Sequence, residues 1–248
     1  MLIVLPPSES KANRRRGRPA DPTTWSFPEL GATRARVAAA LAEVSRSPDA
    51  PSLLGVSPNL LEEVARNLVL DTAPATPAAE VYTGVLYDAL GLSTLDPAAR
   101  RRAYRWLVVV SALHGAVRPG DRITAYRLSM GSTLPGLGPL AGVWRPALDT
   151  VLPAVAGRGI VVDCRSAPYA AAWRPGADLA PRWVQVRVPG ASHQAKHTRG
   201  LVTRQLCTVG ATPRSVPALR DVVADAFETR LNEPTSARAP WVLDVLPA

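Results

Sequence analysis

Cysteine is nearly missing from this chain: 248 residues hold two, Cys164 and Cys207. Two thiols so far apart do not make a zinc spacing, and both read as reduced, with Cys164 buried at the end of an apolar run. Histidine is almost as scarce, limited to His114, His193 and His197. With no cysteine cluster beside them, three histidines argue against a dedicated iron site, and no metal or other cofactor is expected. No apolar run reaches the roughly 18 residues of a membrane-spanning helix. Met1–Leu5 gives way at once to Pro6-Pro7, the wrong length and order for a secretory signal, so the expected location is cytoplasmic with no membrane partner. A P-loop, a GxSxG elbow and an HExxH pair are all lacking, so no catalytic motif names a reaction. The sharpest absence is lysine. Of 29 basic residues only Lys11 and Lys196 are lysine.

What is present begins with charge. The formal net charge is +9 and the pI about 10.5, which points to nucleic acid or a phosphate-bearing ligand, or else to arginine drift in an Ala-, Arg- and Pro-rich composition. Where nearly every cation has become arginine, a remaining lysine marks a position that needs a compact charge or an amine able to lose its proton. Apolar residues make up 47%, enough for one compact domain over residues 1–248.

The local patterns predict a mixed α/β domain, a central mixed sheet covered by helices. Strands are expected at Met1–Leu5, Trp106–Val110, Gly159–Cys164 and Trp183–Val188, the last as a half-exposed antiparallel strand, with a closing strand from Trp241 to Pro247. Helices are expected at Leu30–Val44, at Pro58–Leu68 behind a Ser57 cap, from Pro97 to about Arg105 behind an Asp96 cap, at Val143–Leu152 with Trp144 in the core, from about Ala195 to Cys207, and at Val216–Leu231. Residues 12–28 form a Pro/Arg-rich loop whose cluster Arg14, Arg15, Arg16 and Arg18 suits a flexible arm on a phosphate backbone or a solvated loop. Thr72–Ala79 reads as a linker and Ser132–Leu140 as a flexible Gly/Pro segment.

Two places carry most of the chemistry. Met1–Leu5 ends in Ser8-Glu9-Ser10-Lys11, at the carboxyl end of a strand, where ligands of α/β proteins collect. Ser8 and Ser10 can donate to an oxyanion, Lys11 can neutralise it, and Glu9 is a general base or a partner for Lys11; a capped turn is the plainer reading. The second place is Ser111–Gly131, SALHGAVRPGDRITAYRLSMG, which packs His114, Arg118, Asp121, Tyr126 and Arg127 into an irregular segment after an apolar run, as an anion-gripping loop or as a solvated turn and core strand. Tyr82 and Tyr87 in VYTGVLYDAL sit at a loop-to-helix join, as pocket, base-stacking or core aromatics. Lys196 and Arg199 in HQAKHTRG share a helical face.

Four ordered blocks, MLIVLPPSESK, VYTGVLYDAL, SALHGAVRPGDRITAYRLSMG and HQAKHTRGL, resemble those of the YaaA family of bacterial peroxide-stress proteins, whose third block is close to SALYGxLRPxDxIxPYRLxMG. Every lysine and histidine of the chain falls inside them. Departures are His114 where the family usually has tyrosine, Ala125 where it has proline, and RSAPY at Arg165–Tyr169 where SxEY is usual, so that Pro168 replaces an acid. The resemblance implies a distinctive α/β arrangement with a helix-hairpin-helix-like element that grips DNA backbone, for which Ser111–Asp121 and Tyr82–Gly91 are the candidate segments. It also implies a cytoplasmic protein that binds double-stranded DNA without sequence preference and limits oxidative damage.

The residues themselves leave a second function open, an enzyme acting on a small phosphorylated or nucleotide-like substrate. Its anion site is Lys11, Arg118, Arg127, Lys196 and Arg199, with Glu9, His114, Asp121 and Tyr169 as acid/base candidates. A binding module without chemistry is the third.

Overall fold

The structure, a computed structural model, describes residues 1–190 and 192–246. Its centre is a seven-stranded sheet built from β1 (Leu2–Leu5), β2 (Leu107–Ser111), β3 (Gly115–Val117), β4 (Val161–Asp163), β5 (Trp183–Arg187), β6 (Thr229–Asn232) and β7 (Trp241–Val245), in the order β6-β7-β5-β4-β1-β2-β3. Parallel pairing links β1 to β2 and β4, and β5 to β4 and β7, while β3 and β6 close the two edges antiparallel. Strands covered on both faces read as unbroken apolar runs, and all four residues of β1 are buried. The chain leaves β1 for β2 on one side and returns later as β4 on the other. That reversal opens a crevice at the carboxyl ends of β1 and β4.

The helices are α1 (Gly31–Ser45), α2 (Ala50–Leu54), α3 (Leu61–Ala65), α4 (Ala78–Val81), α5 (Val85–Leu90), α6 (Pro97–Trp106), α7 (Leu140–Ala156), α8 (Ala167–Ala171), α9 (Ser192–Val209) and α10 (Val216–Ala224). The Asp96 carboxylate accepts from the Ala98 and Ala99 amides and caps α6, as its sequence implies. Trp144 of α7 is fully buried and its indole N–H donates to the Ala112 carbonyl at 2.7 Å. Among the described residues no helix is long and apolar enough to cross a membrane.

Several local expectations are overturned by tertiary pairing. Trp183–Arg187 is parallel to both neighbours, not antiparallel; Trp183, Val184 and Val186 are buried, while Arg187 is exposed and reaches across to Asp244 on β7. The expected Val216–Leu231 helix stops at Ala224, and Thr229–Asn232 becomes an edge strand with Leu231 opposite Leu243. Pro58–Leu68 divides into a 3₁₀ turn, α3 and a second 3₁₀ turn. Ser132–Leu140 holds a small ribbon, Thr133–Leu134 against Gly138–Pro139. Pro247, the expected end of the last strand, lies outside the described residues.

The basic segment is a strap rather than a free arm. Lys11 bridges to Tyr82 and Pro19 to Pro74, the Ala75 amide donates to the Arg18 carbonyl, and Arg14 meets Glu80 at 2.7 Å. Of the two segments named for a helix-hairpin-helix element, Ser111–Asp121 contains β3, not a helix. Tyr82–Gly91 is the loop-to-helix join leading into α5.

Candidate functional site

The crevice between β1 and β4 is a cleft of about 580 Å³. One wall is the loop after β1, Pro6 to Lys11, and facing it are Ser166 and Tyr169, which follow β4. Thr83 to Tyr87 at the start of α5, Val56 after α2, and Arg127 to Ser129 close two further sides, and α9 contributes Ala195, Lys196 and Arg199. Both lysines of the chain therefore face one concavity, joined by two of its 27 arginines, as 29 basic residues less two lysines gives.

The backbone explains how they reach it. Gly200 lets α9 lie directly on α5, since a methyl group there would meet the Leu86 carbonyl and the Ala89 side chain. This close approach sets Lys196 and Arg199 over the cleft. Gly84 adopts φ 94°, a conformation that favours glycine, and a Cβ there would stand 3.1 Å from the Ser10 hydroxyl. Arg127 is aimed by Asn67, a buried side chain that accepts from the Arg127 amide at 2.8 Å and donates to its carbonyl at 2.9 Å.

Three cations converge on Glu9. Lys11 Nζ and an Arg127 N–H donate to its backbone carbonyl at 3.3 and 3.4 Å, and Lys196 Nζ lies 3.5 Å from its carboxylate. Lys11 also donates to the Ser8 carbonyl at 2.7 Å and rests 4.3 Å from the centre of the Tyr126 ring. Lys11 keeps part of its surface in solvent, but protein surrounds its amine. Burial first and the Arg127 charge second push that amine down to about 7, against the opposing pull of Glu63 and Glu9. The Ser8 hydroxyl is occupied within the loop, donating to the Ser10 carbonyl and accepting from the Thr83 amide at 3.1 Å. Burial also raises the Tyr169 phenol. The arrangement suits a ligand with an anionic end on the lysines and arginines and an apolar part against Val56, Leu128 and Val85.

A family model described as peroxide stress protein YaaA matches residues 1–232. The chain belongs to that family. It is 48% identical over 258 residues to a UPF0246 protein of Streptomyces coelicolor, covering 99% of this chain and 98% of the relative. A UPF0246 protein of Corynebacterium efficiens is 38% identical, covering 94% and 96%, and one of Corynebacterium glutamicum is 36% identical, covering 83% and 84%.

Within this YaaA-family fold the other candidates named from sequence stand away from the cleft. Arg118 donates to the Arg105 carbonyl at 2.7 Å and lies over the Phe27 ring. Asp121 is buried and accepts from the Ser26 amide and hydroxyl and the Arg118 amide, so it organises a turn. His114 is buried between Trp25 and Tyr126, and its Nε2 has no hydrogen-bond partner; burial, then Arg34 and Lys11, hold the imidazole down to about 3. Tyr82 and Tyr126 lie beneath the cleft floor, their hydroxyls 3.3 Å apart, with Ser111 Oγ 2.7 Å from Tyr126. Arg14, Arg15, Arg16 and Arg18 are exposed on the strap. His193 and His197 are exposed on α9.

Sequence reasoning missed the residues that aim the cations. Glu63 meets Arg127 at 3.2 Å, and Asn67 lies four residues on. Their i, i+4 spacing was a usable signal, as was an asparagine among the apolar positions of that segment. Arg165, seen only as part of a departure from the family pattern, is 1% exposed and forms two hydrogen bonds to Asp163, at 2.8 and 2.7 Å, plus others to the Tyr169 and Trp173 carbonyls. It fixes the loop that carries Ser166 and Tyr169. Pro168 sits in the first turn of α8 and is exposed. Both cysteines are buried, and burial pushes each thiol up to about 12. Among the described residues no group of three or more His, Cys, Asp or Glu is placed to hold a metal ion.

Proposed function

We propose that this peroxide-stress protein works in the cytoplasm by capturing a small phosphorylated or nucleotide-like ligand in the cleft between β1 and β4. The observation that carries the reading is the convergence of Lys11, Lys196, Arg127 and Arg199 on one concavity of about 580 Å³, a volume in the small-ligand range. Nonspecific backbone binding accepts arginine at every contact, whereas a site that discriminates a compact charge from a planar fork retains lysine. Glu9 and Tyr169, on opposing walls, supply titratable groups should the ligand undergo chemistry.

A second reading, double-stranded DNA bound by phosphate contacts, is favoured by the net charge of +9 and by the exposed arginines of the strap. One experiment separates the two. Binding of a nucleoside monophosphate and of a sugar phosphate is measured by calorimetry, and duplex binding by anisotropy at roughly 50 and 200 mM salt. The double variant Lys196→Ala/Arg199→Ala is expected to weaken small-ligand binding by about a hundredfold or more, since each lost charge-assisted hydrogen bond costs roughly 1.5–3 kcal/mol. Replacing Arg14, Arg15, Arg16 and Arg18 by alanine leaves that binding intact. If neither small ligand binds while duplex affinity and its salt dependence follow the strap, DNA binding replaces the cleft as the function.

A further inference from the structure

We propose that Lys11 is a nucleophilic amine that forms a Schiff base with the aldehyde or ketone of a phosphate-bearing substrate, a ring-opened sugar phosphate being the chemical type. The proposal rests on the cleft being a phosphate site and adds a covalent step to it.

The geometry accounts for every hydrogen of a neutral Lys11 amine. Its two N–H groups are directed to the Ser8 and Glu9 carbonyls at 2.7 and 3.3 Å. Neither carbonyl contact uses the lone pair; the further neighbour of Nζ is the Tyr126 ring, its centre 4.3 Å away, which favours the ammonium. The carboxylates that would lock the amine as an ammonium are engaged elsewhere, Glu63 by Arg127 at 3.2 Å and Glu9 by Lys196 at 3.5 Å. The charged groups around it are Arg127 and Arg66, which disfavour protonation, and Glu63 and Glu9, which favour it; burial, the largest effect, with Arg127 next, leaves the amine at about 7. A large share is free base at neutral pH, while an ordinary lysine is almost wholly protonated and inert toward carbonyls. Across the same cleft stand Lys196 and Arg199; the Arg199 Nε–H is spent on the Val186 carbonyl at 3.2 Å, and its terminal nitrogens, with Lys196, are the groups to hold a phosphate while the carbonyl carbon meets Nζ.

The step balances without an oxidant or reductant. The Nζ lone pair forms a bond to the carbonyl carbon, the carbonyl π pair moves to oxygen, and a proton passes from nitrogen to that oxygen to give a carbinolamine. The C–O bond then breaks, the oxygen leaves as water with one further proton, and the nitrogen closes the C=N bond. One amine and one carbonyl become one imine and one water. Glu9, on the same loop and 78% exposed at its side chain, is the carboxyl group of the cleft lining that can carry the proton between nitrogen and oxygen. Ring-opened aldoses are aldehydes, whether free as sugar phosphates or left in a DNA strand that has lost a base, and the two sources share this chemistry.

The test uses the full chain with 2-deoxyribose 5-phosphate, with its alcohol 2-deoxyribitol 5-phosphate, and with a duplex containing one abasic position, each in the presence of borohydride to reduce any imine. Peptide mapping by mass spectrometry locates the adduct. The expected result is a reduced adduct on Lys11 with an aldehyde source, none with the alcohol, and a trapping rate that rises as pH passes through 7. Comparison of the free sugar phosphate with the duplex tells which source the cleft accepts. Lys11→Arg and Lys11→Met, each checked by thermal melt, are expected to lose the adduct. An adduct on Lys196 or on the Met1 amine, or aldehyde binding as tight as that of the alcohol with no adduct, overturns the Schiff base and leaves the phosphate site standing. Failure of aldehyde and alcohol alike to bind removes both.

Discussion

Ser8–Lys11 and His114–Arg127 begin as similar material, polar residues delivered by a buried strand, each with at least one cation and a carboxylate. They end in opposite roles. In the first segment Lys11 donates to two backbone carbonyls over the Tyr126 ring and lines the cleft, and the Glu9 side chain is largely exposed. In the second, Arg118 is spent on the Arg105 carbonyl, Asp121 on the amides of a turn, and His114 on packing. Arg34 is buried beside it, donating to the His114, Ala116 and Ser26 carbonyls, and burial pushes its guanidinium down to about 10. A guanidinium within reach of orphan carbonyls becomes scaffold, because leaving those acceptors unpaired in the interior costs more than the side chain's freedom is worth. A cation stays available for a ligand where its carbonyl partners lie at the rim of the cleft and leave it lining the open space, as for Lys11 and Arg127. Arg127 crosses from one class to the other because Asn67 holds its backbone and turns its side chain toward the cleft.

The largest expected effect lies with a buried cation. Arg165→Ala leaves the Asp163 carboxylate enclosed, facing only the Trp183 indole N–H and the backbone N–H of residue 165. Loss of one partner from a buried ion pair costs roughly 3–5 kcal/mol, to be read as a drop in the urea midpoint. A loss under about 1 kcal/mol would move Arg165 into the class of dispensable surface charges.

His114 gives the next effect, and its sign follows from linkage. The folded imidazole binds a proton only near 3, whereas the unfolded one binds near 6.5. The unfolded chain therefore holds more protons between those values, and His114 lowers stability progressively as pH falls from 6.5 toward 3. The slope is at most about 1.4 kcal/mol per pH unit. Urea unfolding at pH 4 to 7 is expected to show a shallower acid slope for His114→Phe than for wild type by about that amount. Equal slopes would mean that the imidazole is not buried neutral.

The smallest effect on the fold belongs to the two arginines that look alike in sequence. Arg127→Ala is expected to weaken phosphate-ligand binding by about tenfold. Arg118→Ala is expected to leave that binding unchanged and to cost no more than about 1 kcal/mol of stability, the worth of one hydrogen bond from a partly buried group. Calorimetry on both variants reads the difference. Ligand binding that falls equally in the two would erase the distinction between scaffold and site.

Sequence by itself determined the strands that are buried on both faces, because β1, β2 and β4 are apolar at every position except the last of β2 and of β4, Ser111 and Asp163, and such runs have no other use in this chain. It also determined the caps at Asp96 and Ser57, whose mechanism is local, and it marked the loop after β1 and the Lys196/Arg199 helix face as chemically unusual through the near absence of lysine. Tertiary structure decided the rest. Thr229–Asn232 became a strand because β7 offered an open edge, and Trp183–Arg187 became parallel because the chain crosses over through helices between β4 and β5 and again between β5 and β7 instead of turning straight back. Whether a given arginine grips a ligand or a carbonyl was likewise decided in three dimensions, since the carbonyls that capture Arg34, Arg118 and Arg165 lie up to 82 residues away along the chain. No local pattern encodes the distance between a guanidinium and an acceptor brought to it by the fold. The convergence of Lys11 with Lys196, 185 positions apart by subtraction of their numbers, is a property of the crevice between β1 and β4 and of the glycine that lets α9 close over it.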